Sequence, residues 1–297
     1  MSPLAFRRFT VLALAFCLAV IVWGAYVRAT GSGAGCGDHW PTCNGDLIPR
    51  APSTQTMIEF THRTTSGLAL VSVVVMLLWA RRIHPAGHAV RRAAGWSLGL
   101  MLSEALLGAM LVKLELVANN ATANRAVGMS LHLMNTFLLL AAMTSTAAWA
   151  WLGDRRVKWA GTPALVFGAA LVSTAVVGVT GAVTALGDTL HQQAVSNPFV
   201  EVLIQFRIVH PLLAIVATLA LLGAASVGRT RAGRWSNALI AVVLMQVVVG
   251  LINVQLAAPV AVQLIHLLLA DLVWVLLVVI SRARLGEPVT STSTSRA

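Results

Sequence analysis

The hydrophobic residues of this chain fall into eight long apolar runs that are separated by short polar segments. Each run has about the 20 residues that an α-helix needs to cross the hydrocarbon core of a bilayer. The runs lie near residues 9–29, 61–80, 94–113, 126–152, 162–185, 202–226, 236–256 and 261–281. The pattern therefore predicts an all-α membrane protein with eight transmembrane helices.

The composition supports a bilayer environment and excludes a soluble globular protein. Only 10% of the 297 residues are charged and 58% are hydrophobic, whereas a soluble domain has about a quarter charged residues. The net charge of +11 raises the alternative of nucleic-acid binding. The basic residues, however, lie in short segments between apolar runs, which is how membrane proteins set their orientation. We therefore predict the lipid bilayer as the environment and no nucleic-acid partner.

The distribution of basic residues also predicts which side of the membrane each end faces. Fifteen of the 21 Lys and Arg residues lie on the side of the membrane that carries both termini. By the positive-inside rule, both termini are cytoplasmic, and we expect the cell membrane as the location. The segment with Cys36 and Cys43 then faces outward, where an oxidising environment favours a disulfide. Residues 286–297, rich in Ser and Thr, are predicted to be a disordered tail.

The chain contains two similar four-helix units, residues 1–152 and 153–285. Residues 103–108 in the third run resemble residues 245–250 in the seventh run. Because each unit has an even number of spans, both units face the same way, and the implied symmetry axis runs along the membrane normal. We therefore predict two pseudo-symmetric four-helix bundles.

Four of the eight histidines lie in the first turns of even-numbered runs, near the outer face: His62, His132, His210 and His266. Ionisable residues inside a membrane are costly and usually functional. A single histidine there can simply bond a neighbour, but four at matched depth indicate a shared role. Two neutral imidazoles facing each other in a bundle suit axial ligation of a haem iron. Zinc, the competing metal, prefers four ligands and often thiolates, and no cysteine accompanies these histidines.

Arginines near the same membrane edge are candidates for binding the haem propionates, because a guanidinium binds a carboxylate through two hydrogen bonds. The candidates are Arg28, Arg63, Arg125 and Arg207. Anchoring at the membrane interface is an equally open role for each of them.

The acidic residues differ between the two units. Glu59 precedes His62 by three residues, so both lie on one helical face. A carboxyl group beside a metal site can move protons, although an acid near a helix N-terminus also favours the helix dipole. Arg207 stands three residues before His210, so we expect chemistry in one unit and only cofactor binding in the other. Glu104 and Asp271 are further acids in apolar runs; we expect them to be hydrogen-bonded within the bundle, with proton relay as the alternative.

At the level of motifs, the chain resembles the haem A synthase family over about residues 7–284. The resemblance is carried by the outer segment and the start of the second run: Thr30-Gly31-Ser32-Gly33, Cys36, Trp40-Pro41, Cys43-Asn44-Gly45 and Glu59-Phe60-Thr61-His62-Arg63.

This resemblance implies a reaction: oxidation of a methyl group of haem O to a formyl group by two hydroxylations, which yields haem A for terminal oxidases. It also implies that His62 and His132 bind the substrate haem, with Glu59 as the catalytic residue. His210 and His266 would ligate the iron of a haem b cofactor. The implied partners are a haem O synthase and an electron-transfer partner.

One departure from the family and two alternatives remain. Many members have a second cysteine pair before the sixth span, whereas residues 187–199 have none here, so a mechanism that needs four cysteines is in doubt. A bis-histidine b-type cytochrome for electron transfer is the main alternative function. A transporter is disfavoured, because its polar groups would interrupt spans at the midplane, and here they cluster at the outer edge.

Overall fold

The computed structural model describes residues 2–289, and most of them lie in long helices. The seven helices within this described range are α1 Pro3–Ala29, α2 Thr54–Ile83, α3 Ala89–Lys113, α4 Ala123–Leu152, α5 Gly161–Gln192, α6 Pro198–Gln255 and α7 Val260–Leu285. Each one is long and apolar enough to cross a membrane. The prediction of an all-α multi-pass membrane protein is therefore confirmed.

The predicted count of eight helices differs from the seven that are formed, because two predicted spans share α6. This helix has 58 residues, which would extend about 87 Å if straight. Ala232 interrupts it with non-helical angles, φ −143° and ψ 41°. A Cβ on Gly228 would lie 3.0 Å from Oγ of Ser236, although a straight helix separates residues eight apart by about 12 Å. The chain therefore bends sharply at Ala232.

Side-chain caps mark the start of three helices that carry the predicted histidine ligands. The Ser53 hydroxyl accepts a hydrogen bond from the Thr56 N–H at 3.1 Å, at the beginning of α2. Thr122 caps α4 and Asn197 caps α6 in the same way. Such caps satisfy backbone N–H groups that have no partner in the first turn. The caps thus set where the first turns of α2, α4 and α6 lie.

The first four helices pack mainly with one another, as do α5, α6 and α7. Contacts between the two groups come from α4 with α5 and α7, and from α1 with α7. At this junction the Trp274 ring stacks on Phe137 with ring centroids 4.7 Å apart. The Trp274 indole N–H also donates to the Phe137 carbonyl at 2.7 Å. The two groups of helices therefore share a buried, hydrogen-bonded contact.

A short antiparallel ribbon forms at the start of the segment that the sequence predicts to be a disordered tail, residues 286–297. Strand β1, Arg155–Val157, pairs with β2, Gly286–Pro288, so that Arg155 lies opposite Pro288. Residues 286–288 were expected to begin the disordered tail, but the loop after α4 offers them backbone partners. The rest of that predicted tail, residues 290–297, lies outside the described residues.

Candidate haem-binding site

Each of the four predicted histidine ligands packs its imidazole against a glycine that precedes it in the chain. A Cβ on Gly24, Gly181 or Gly250 would lie 2.8, 2.9 or 3.0 Å from Cε1 of the facing histidine, which is His62, His210 or His266 respectively. Real Cβ atoms almost never approach closer than 3.0 Å, so an alanine at Gly24 or Gly181 would displace the ring, and an alanine at Gly250 would crowd it. The fourth case is looser: a Cβ on Gly108 would lie 3.9 Å from Cε1 of His132.

Sequence analysis missed the role of these glycines. Two of them, Gly108 and Gly250, end the segments that revealed the internal repeat. The likeness between these two segments was the sequence signal that could have pointed to the glycines. The number of residues between glycine and histidine differs in all four cases, so spacing alone does not reveal the contact.

His210 and His266 face each other in the second group of helices. Their ring centroids are 6.4 Å apart and their planes are inclined by 79°. A gap of this size admits a metal with a bond of about 2 Å to an imidazole nitrogen on each side. The Thr180 hydroxyl lies 3.3 Å from Nδ1 of His210, and the Gln246 amide lies 3.3 Å from Nε2 of His266.

The imidazoles of the first group also have free nitrogen atoms. Nδ1 of His62 and of His266 is buried and has no hydrogen-bond partner within residues 2–289, while Nδ1 of His132 lies 3.4 Å from Oε1 of Glu104. A buried polar atom without a partner is costly, and ligation uses an imidazole nitrogen as a donor to the metal. Neutral imidazole nitrogens of this kind are donors that a haem iron takes, so the residues present fit haem.

Glu59 lies beside the first pair and is tied to the outer loop. Its side chain is buried, and its Oε2 accepts a hydrogen bond from the Cys36 N–H at 2.8 Å. Nε of Arg63, one helical turn further along α2, donates to Oε1 at 3.0 Å. Cys36 and Cys43 form the predicted disulfide. The carboxylate is thus held between a guanidinium and the disulfide-bonded loop.

Arg63 also holds this loop directly. Its Nη1 donates to the carbonyl groups of His39, at 2.6 Å, and Thr42, at 2.7 Å. Three of its donor nitrogens are therefore engaged by Glu59 and the loop. Propionate binding by Arg63 remains a prediction: these bonds use four of its five N–H groups, which leaves one N–H on Nη2 for a further acceptor.

Arg28 connects the two groups of helices. Its Nη1 donates to the Ala185 carbonyl at 2.7 Å and to the Thr189 hydroxyl at 2.6 Å, both on α5. Its Nη2 donates to Oε1 of Gln263 on α7 at 3.0 Å. Arg125, which is buried, donates to the carbonyl groups of Ala118 and Asn120 in the loop before α4. Both guanidinium groups therefore brace the end of the bundle where α1 ends and α4 begins.

Arg207, the fourth candidate arginine, is paired with Asp188, an acid that sequence analysis missed. Nε of Arg207 donates to Oδ1 of the buried Asp188 at 2.6 Å. Each group of helices thus has a buried carboxylate paired with an arginine near its histidines. In the first group Glu59 and Arg63 share α2, whereas Asp188 on α5 pairs with Arg207 on α6. A local motif search does not join residues on two helices.

Glu104 and Asp271, the two further acids in apolar runs, differ in their hydrogen bonding. Glu104 accepts hydrogen bonds from Asn135 and Thr136, as expected. Asp271 is fully buried, and neither of its carboxyl oxygens has a hydrogen-bond partner in the described part of the chain. The expectation of a hydrogen-bonded Asp271 is therefore wrong for these residues.

Comparisons with known proteins agree with the haem-related site. Two proteins of Thermus thermophilus strains, both named protoheme IX farnesyltransferase, are 45% and 44% identical to this chain over 280 residues. These matches cover 90% of this chain and 46% of each relative, so the chain spans about half the length of these curated relatives. A haem A synthase of Lysinibacillus sphaericus is 37% identical over 103 residues, which are 34% of this chain and 33% of that protein.

The family described as cytochrome oxidase assembly protein, COX15-CtaA, matches residues 7–278. This range includes every predicted haem ligand, Glu59 and both cysteines of the disulfide. Since the match covers nearly the whole chain, the protein belongs to the COX15-CtaA family of cytochrome oxidase assembly proteins.

Proposed function

We propose that this protein is a haem A synthase, a membrane oxidoreductase that converts a methyl group of haem O to the formyl group of haem A. The observation that carries the proposal is the buried carboxylate of Glu59, which lies one helical turn before His62 on α2, where the second half has Arg207 three residues before His210. The relatives named haem A synthase support the same activity.

The proposed architecture has eight membrane crossings in two pseudo-symmetric halves, residues 1–152 and 153–285. A hydrocarbon core of about 30 Å holds only part of α6, so residues 198–231 and 233–255 cross separately on either side of Ala232. The four glycine–histidine contacts support this symmetry, because each half contributes two of them. The excess of basic residues supports cytoplasmic termini in the cell membrane.

The two halves divide the work. His62 and His132 hold the substrate haem O, while His210 and His266 hold a haem b cofactor. A bound haem b supplies one-electron redox chemistry. Glu59 takes up protons at its carboxylate oxygens as the neighbouring methyl group is oxidised, and Arg63 and the Cys36 N–H hold that carboxylate in place.

The reaction requires a supplier of substrate and an acceptor of electrons. Oxidation of a methyl to a formyl group with water as the oxygen source releases four protons and four electrons, so an electron-transfer partner is needed. The Thermus relatives are named for farnesyl transfer to protohaem IX, and more than half of each lies outside the match with this chain. We propose a haem O synthase as the partner that supplies farnesylated haem.

Two other functions are candidates for this protein. The identity with proteins named farnesyltransferase favours prenyl transfer as a second candidate. A bis-histidine b-type cytochrome would keep two permanent haems and would not need Glu59.

One experiment separates these functions. The chain is expressed in a host that makes haem O, and the extracted haems are identified by chromatography and mass spectrometry. We expect haem A or its hydroxylated precursor, and we expect Glu59→Gln to abolish it while Glu115→Gln, at an exposed loop position, does not. Haem b alone, unchanged in Glu59→Gln, would establish a cytochrome instead. Farnesylation of haem b in vitro with farnesyl diphosphate would establish prenyl transfer.

A further inference from the structure

Glu104 on α3 lies against the proposed haem ligand His132 and is itself held by two neighbours of that histidine. Its Oε1 is 3.4 Å from Nδ1 of His132. The Thr136 hydroxyl donates to Oε1 and the Asn135 amide donates to Oε2. Asn135 in turn accepts a hydrogen bond from the Ser103 hydroxyl at 2.6 Å. The carboxylate is therefore aimed at the histidine by a network on α3 and α4.

The second half has a different residue at the corresponding position, and this residue contacts the other ring nitrogen of its histidine. Glu104 precedes Gly108 by four residues, so both lie on one face of α3, and Gly108 faces His132. Gln246 precedes Gly250 by four residues, and Gly250 faces His266. The Gln246 side chain also contacts its histidine, with its amide nitrogen 3.3 Å from Nε2. An acid in one half thus takes the place of a neutral amide in the other.

The glycines that face the other two histidines, His62 and His210, have an apolar residue four positions earlier. Val20 precedes Gly24 by four residues, and Val177 precedes Gly181 by four residues. Both of these residues are apolar. At the position four residues before each glycine, the difference in charge between the two halves is therefore Glu104 against Gln246.

A carboxylate that accepts the Nδ1 proton of a ligating histidine makes that imidazole a stronger electron donor to its metal. Nδ1 of His132 is not aligned for a hydrogen bond at 3.4 Å, but contacts of this kind often tighten when the reactive complex forms. Stronger donation favours ferric over ferrous iron, which lowers the reduction potential of a haem. An amide partner such as Gln246 lacks this charge.

We propose that Glu104 is a positioning residue that gives the haem at His62 and His132 a lower reduction potential than the haem at His210 and His266. This inference rests on the proposed function, because it assumes that both histidine pairs ligate haem. With this order of potentials, electrons released at the first haem pass to the second haem along a favourable gradient.

The test is a redox titration of the purified full-length protein loaded with protohaem, followed by its visible spectrum. We expect two midpoint potentials in the wild type. Glu104→Gln raises the lower one and narrows the gap, while the reciprocal Gln246→Glu lowers the higher one. Glu115→Gln, which removes a carboxylate from an exposed loop position, leaves both potentials in place.

Haem affinity is the second measurement. A residue that acts only on the fold would change the haem affinity but would leave the reduction potential of the bound haem unaltered. Glu104→Ala removes both the charge and the network, and we expect it to weaken haem binding about 10- to 100-fold. If Glu104→Gln binds haem and its two potentials equal those of the wild type, the inference is wrong and the proposed function stands. If the wild type binds no haem at His62 and His132, the proposed function and the inference both fail.

Discussion

Gly181 leaves the space that the imidazole of His210 occupies: a Cβ at this position would lie 2.9 Å from Cε1 of the ring. We expect Gly181→Ala to displace the ring and to weaken haem binding at the second site by about ten-fold or more, the effect typical of disturbing a group that orients a metal ligand. The bound haem per purified protein measures this loss.

Gly168→Ala is the matched control. It lies on the same helix, and a Cβ there would meet nothing within 4 Å. Because alanine has the higher helix propensity, this variant should retain its haem and its thermal stability. Equal haem content in both variants would show that the glycine contact does not position His210.

Arg28 is predicted to hold the two groups of helices together at their outer edge. Arg28→Ala removes donors from Ala185, Thr189 and Gln263. Because three hydrogen bonds from a charged group are lost and each contributes about 1.5–3 kcal/mol, we expect the free energy of unfolding to fall by about 4 kcal/mol or more. Thermal unfolding in detergent measures this change, and Arg8→Ala, at an exposed position, should leave Tm unaltered. A common Tm for both variants would contradict the bridging role.

The disulfide is predicted to brace the outer loop against Glu59. Cys36 and Cys43 close a loop with a sequence separation of 7, and removing such a link costs about 2 kcal/mol. Cys43→Ser should therefore make the loop more sensitive to limited proteolysis and reduce haem A formation in part, because the Cys36 N–H helps to hold Glu59. Cys17→Ala, within α1, is the control. Complete loss of turnover in Cys43→Ser with an intact loop would instead indicate a redox role for the cysteines.

His84 is predicted to make stability depend on pH at the junction of α2 and α3. Its ring stacks on His88 with centroids 4.2 Å apart and lies 5.8 Å from the Phe6 ring. Burial lowers the pKa of His84 below its ordinary value of 6.5; His88 and Arg7 lower this pKa further, and the charge of Asp154 opposes them. The unfolded chain therefore binds more protons near His84 than the folded chain does.

Stability should consequently be lost as the pH falls below about 6.5, since protonation favours the unfolded state there. Tm measured between pH 7.5 and 5.5 should fall less in His84→Phe than in the wild type. His191→Gln, at an exposed position, should retain the wild-type slope. The same slope in all three proteins would exclude a contribution from His84.

The sequence by itself determined the membrane class, the approximate spans, the four histidine candidates, the disulfide and the family. These features follow from local patterns: an apolar run long enough to cross a bilayer must bond its own backbone as a helix. The match over residues 7–278 confirmed the family, and the predicted disulfide is formed. The roles of Glu59, the histidines and the arginines remain predictions.

Only the tertiary structure decided which groups meet across helices. It placed the glycines against the histidines, gave Arg207 its partner Asp188, and left Asp271 buried without one among the described residues. It also joined two predicted spans into α6 and paired Gly286–Pro288 with β1. Each of these depends on the positions of segments that are distant in the chain. Packing sets those positions, and the alternation of apolar and polar residues within one segment carries little information about the partner it will contact.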